Sequence, residues 1–148
     1  MAAFRFRLAT LLRLREAARD ERRTQLAEAL QLAEQLRERQ MGVEELLREA
    51  LRVQSTATGA IDADRLLNAT RYEMVLRAEL QQLQLQETAL QTEIEKRRQA
   101  LVAADRDVRS LELLRETQQE RHREQEERRA VKELDEIALR RYAAEGAE

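Results

Sequence analysis

Apolar residues recur along the first third of the chain in steps that alternate between three and four. Positions 26, 29, 33, 36, 40, 43, 47 and 50 read Leu, Ala, Ala, Leu, Gln, Val, Leu and Ala, so only Gln40 interrupts the run. Such steps average 3.5 residues, the repeat that keeps one face of a helix against a partner helix. A second and longer run covers positions 76, 80, 83, 87, 90, 94, 97, 101, 104, 108 and 111. These read Leu, Leu, Leu, Glu, Leu, Ile, Arg, Leu, Ala, Val and Leu, with Glu87 and Arg97 as the interruptions. Burying each large apolar side chain of a seam contributes roughly 1.5–3 kcal/mol. Leu8, Leu11 and Leu12 form a further apolar patch upstream. Arg19 to Gln25 is polar on every face, which predicts loose packing there.

Between the two runs lies Gln54-Ser55-Thr56-Ala57-Thr58-Gly59-Ala60-Ile61-Asp62. Gly59 suits the left-handed end of a helix, and Asp62 is a good N-cap for the next one. Nowhere else do small polar residues gather around a glycine in this way. The pattern predicts an all-α fold of one domain over residues 1–148. A helix covers about residues 8–54, a turn about 55–62 and a second helix about 63–144. Alone, each helix would be marginal, so the seams should pair. Two helices joined by a short turn then form an antiparallel coiled-coil hairpin. A turn centred at residue 58 or 59 sets Leu47 opposite the Ala69 region and Leu8 opposite Val108. The first helix is then exhausted opposite residue 116, and the second overhangs. Residues 117–129 are polar on every face, which suits a solvated overhang. Beyond them an apolar stripe returns at Val131, Leu134, Ile137, Ala138 and Tyr142.

Composition supports helices and narrows the function. The chain has no proline, no cysteine, no tryptophan and three glycines, and 38% of it is charged. Leu, Ala, Glu, Arg and Gln dominate, the residues with the lowest cost in a helix interior. Phe4, Phe6, Tyr72 and Tyr142 are the only aromatics, too few to fill a globular core. A formal net charge of −2 argues against nucleic acid or a membrane surface as partner, because both need a dominant basic field. Without cysteine there are no disulfides or thiolate metal sites, as suits the cytosol. No stretch approaches the ~18 apolar residues of a membrane span, and no apolar secretory core follows the first arginines.

No constellation for catalysis stands out, and neither cofactor nor metal is expected. His122 sits with Gln118 and Glu126 at helical spacing. One histidine makes neither a dyad nor a metal site, so it reads as part of a solvated face. Three isolated glycines cannot make a phosphate loop. Two features do suggest binding. One is Phe4-Arg5-Phe6-Arg7-Leu8, as a contact or as a cap on the open end of the hairpin. The other is the apolar stripe of the overhang, which lacks a partner within its own chain and so suggests one in another; self-association is the alternative.

Four segments resemble the FliJ family of flagellar export proteins and, more distantly, the stalk proteins of type III injectisomes. They are the opening Phe6-Arg7-Leu8-Ala9-Thr10-Leu11-Leu12-Arg13-Leu14-Arg15-Glu16, the turn Gly59-Ala60-Ile61 followed by Tyr72 and Leu76, the stretch Val108-Arg109-Ser110-Leu111-Glu112-Leu113-Leu114-Arg115, and the ending Lys132-Glu133-Leu134-Asp135-Glu136-Ile137-Ala138. The resemblance implies a non-enzymatic, cytoplasmic component of the flagellar type III export apparatus, peripheral to the inner membrane through its partners only. It implies a stalk that enters the hexameric export ATPase ring, touches the cytoplasmic domain of the export gate and assists export chaperones and substrates. The gate-contacting positions map to Tyr72 and Leu76. Where the family shows further polar or aromatic gate residues, this chain has Glu79 and Leu83. Adding the unpartnered features gives Phe4, Phe6, Tyr72, Leu76, Leu134, Asp135, Glu136, Ile137 and Arg141 as candidate partner-binding residues. The alternatives are a structural coiled-coil scaffold, for which the bare heptads suffice, and a peripheral stalk subunit of a rotary ATPase.

Overall fold

A computed structural model describes residues 2–57, 59 and 62–147 of the chain. Two helices make the fold, α1 at Ala9–Thr56 and α2 at Ala63–Glu145. They pack antiparallel as a hairpin, and no strand occurs among the described residues. The ends of the helices follow from local chemistry. The Ser55 and Thr56 hydroxyls both donate to the Arg52 carbonyl, at 2.8 and 3.0 Å, which closes the last turn of α1. Gly59 has φ +122°, a conformation open to glycine and costly for other residues. Thr58, Ala60 and Ile61 of the expected turn lie outside the described residues. Asp62 caps α2, its carboxylate accepting the Asp64 N–H at 3.1 Å.

Residues 20–102 form one compact unit. Its core holds two clusters, Ala29 and Ala33 with Ile94, and Val43 with Leu76 and Leu83. Leu26 and Leu90 flank the first; Leu36, Leu47 and Leu80 flank the second. Every position of the first seam, from 26 to 50, is buried or half-buried, as the heptads predict. The polar interruptions of the two seams find each other. The Gln40 amide donates to a Glu87 carboxylate oxygen at 3.2 Å, and Arg37 approaches the other oxygen at 3.9 Å. Arg97 donates to the Gln25 carbonyl at 2.6 Å and to Glu93 at 2.9 Å, so the stretch expected to pack loosely is bridged by a guanidinium at its Gln25 end.

Residues up to 19 together with those from 103 onward form a second unit. Leu12 and Val108 are its buried residues, and Val108 is 2% exposed. Leu8 and Leu11 remain on the margin of the seam, each more than a third exposed. Arg15 bonds Asp107 across the helices at 3.4 Å.

The register corrects the sequence-based one. Leu47 packs on the cluster that contains Leu76, Arg15 meets Asp107, and the Ala2 carbonyl meets His122. Facing positions on α2 therefore come about one heptad later than the turn arithmetic predicts. One physical reason lies at the end of α1, which continues to Thr56, beyond the expected end near residue 54. Another lies in the seam. The expected register sets Glu87 against Leu30, whereas the observed one gives it Gln40 and Arg37.

A candidate partner-binding surface

The shift in register changes what is free to bind. The overhang does not begin at residue 116. Gln118, His122 and Glu126 are half-buried, at steps of four along α2. The chain before α1 lies along this face as a strap. His122 Nε2 is 3.0 Å from the Ala2 carbonyl, and the Phe4 ring is 5.7 Å from the imidazole, tilted by 32°. Phe6 is also half-buried, with Phe4 and Leu12 lining the same shallow groove. His122 is thus a docking point for the N-terminal strap and not a solvated residue. Extending the seam beyond residue 111 in steps of three and four would have found it.

From residue 127 onward every described residue is exposed. Leu134 is 65% and Ile137 49% exposed, and Val131 and Tyr142 are likewise open. Asp135, Glu136 and Arg141 lie on the same bare segment. Glu136 approaches Arg140 at 3.9 Å, one turn away. A helix held together by packing rarely leaves so many large apolar residues to solvent.

Near the turn the two gate candidates part. Tyr72 is 47% exposed and lines an apolar groove with Leu46, Ala50, Val53 and Ala69. Leu76 is 4% exposed and belongs to the core with Val43 and Leu83. As a surface contact Leu76 is therefore corrected: its seam position turns it inward, into the core with Val43 and Leu83. Glu79 is tied to Arg39 at 2.9 Å, and Leu83 is buried. On α1, Glu49 accepts from Arg52 at 2.7 and 3.0 Å. These bonds hold the Glu49 carboxyl below the usual carboxylate range and raise the Arg52 guanidinium.

Among the described residues, no group of three or more His, Cys, Asp or Glu side chains is placed to hold a metal ion. No helix of the described chain is long and apolar enough to cross a membrane. What the geometry offers is exposed apolar surface set among charges, the chemistry of protein recognition. No curated protein and no solved structure gives a significant match. A family model described as the flagellar FliJ protein matches residues 4–147, nearly the whole chain; the chain belongs to the FliJ family and is a component of the flagellar export apparatus.

Proposed function

We propose that the chain is a stalk that couples the hexameric export ATPase to the cytoplasmic domain of the export gate. One observation carries this reading: α2 continues well past the N-terminal strap, and its last described residues are bare, with Val131, Leu134 and Ile137 open to solvent. Leu134 and Ile137 anchor the segment in the ring. Asp135, Glu136 and Arg141 surround them and tune encounter and specificity, as rim charges do. The Tyr72 groove meets the gate, with Leu76 supporting it from within the seam. Phe4 and Phe6 hold the strap and so set where the bare segment begins. In this role the protein catalyses nothing, stays cytoplasmic, reaches the inner membrane through its partners only and assists export chaperones and substrates.

The test is hydrolysis by the cognate export ATPase, measured while the purified protein is titrated to saturation. The expected result is faster hydrolysis and hexamer formation at lower ATPase concentration, with no hydrolysis by the protein alone. An ATPase that neither speeds up nor assembles more readily would overturn the proposal.

A further inference from the structure

The bare end of α2 carries a pattern that fits its own copy. Leu134, Ile137 and Arg141 follow one another on one face, with Glu127 and Ala130 upstream and Ala144 downstream. Val131 and Ala138 flank this row on one side, Glu133 and Arg140 on the other. All of these residues are exposed. Acid and base on the second flank are one heptad apart, so an antiparallel copy sets each against the other.

We infer that two copies of the chain pair through residues 127–144 of α2, antiparallel and about a two-fold axis. In this pairing Leu134 meets Ile137 of the second copy, and Val131 meets Ala138. Glu133 faces Arg140 across the flank. Each contact occurs twice, as a two-fold interface requires. At the ends the Arg141 stem lies along Ala130, and Glu127, opposite Ala144, keeps its own-chain ion pair with Arg123 at 3.6 Å. A parallel pairing would stack Arg141 on Arg141 and Glu127 on Glu127 in the seam, with like charges opposed. The competing local contact is weak, because Arg140 reaches Glu136 only at 3.9 Å with both side chains mostly exposed.

The apolar seam is short, so the pair is weak, with a dissociation constant on the order of 100 µM. It covers the same Leu134 and Ile137 that the ring-docking proposal uses. At concentrations above that constant the pair shields this face, and a ring would have to displace it. Self-association is measured with no ATPase present, so its failure leaves the stalk proposal untouched.

Sedimentation equilibrium of the full chain from about 1 µM to about 1 mM tests the pairing. The wild type should pass from monomer to dimer. Glu133→Arg and Arg140→Glu should each weaken association about tenfold, and the double exchange should restore it. The chain has no cysteine, so cross-linking adds the orientation. A mixture of Leu134→Cys and Ile137→Cys chains should give the mixed disulfide in excess over either homodimer. A chain that stays monomeric throughout, or a double exchange no better than the single variants, overturns the inference. So does preferential linking of Leu134→Cys to itself, which means a parallel pair.

Discussion

Gln40 and Glu87 each interrupt an apolar seam, and the fold brings them together at 3.2 Å. A half-buried carboxylate facing leucine would lose solvation with nothing in return, so the pair favours the one register in which each polar group has a partner. Gln40→Leu removes the donor and leaves Glu87 with Arg37 alone, 3.9 Å away. Because a third of the Glu87 side chain remains open, the loss should be about 1 kcal/mol in urea unfolding. Replacing both residues by leucine should recover that loss or better it, with alternative registers populated in return. An equal loss in the single and double variants would show that the pair does not select the register. Arg97 works differently, since it bonds a main-chain carbonyl, which every residue offers and which selects no side-chain partner.

At the scale of helices, seam positions were legible because a 3.5-residue repeat depends on neither the partner nor the turn. Both long runs are buried or half-buried throughout. The Asp62 cap was legible as well, since a capping side chain acts only on its own helix. Register was not, because sliding one helix by a heptad keeps apolar facing apolar. Only the polar exceptions tell the registers apart, and matching Gln40 to Glu87 would have done so. The strap was missed for a related reason: Gln118, His122 and Glu126 are polar, and their half-burial depends on chain outside both seams. The glycines test the element-level account. Gly42 lies in mid-α1, and a Cβ there would meet nothing within 4 Å. Gly42→Ala should therefore raise stability by about 0.5–1 kcal/mol. Gly59→Ala should lower it by about 1–2 kcal/mol, because alanine must hold a φ of +122°. Thermal unfolding followed by circular dichroism measures both, and equal effects would refute the assigned turn.

For the whole molecule, the division of labour is between α2 covered by α1 and the strap, and α2 left bare. Val108 and Leu76 hold the fold together. Leu134 and Ile137 contribute almost nothing to it, since their side chains are open to solvent. In the proposed stalk role a partner accounts for their apolar character, and FliJ-family membership directs attention to the export ATPase. The calorimetric affinity of the cognate ATPase for wild type and for Leu134→Ala/Ile137→Ala tests this most directly. Binding should weaken by at least about 2 kcal/mol, while the thermal midpoint of the isolated variant stays within about 2 °C of wild type. Unchanged affinity for the ATPase would contradict the account.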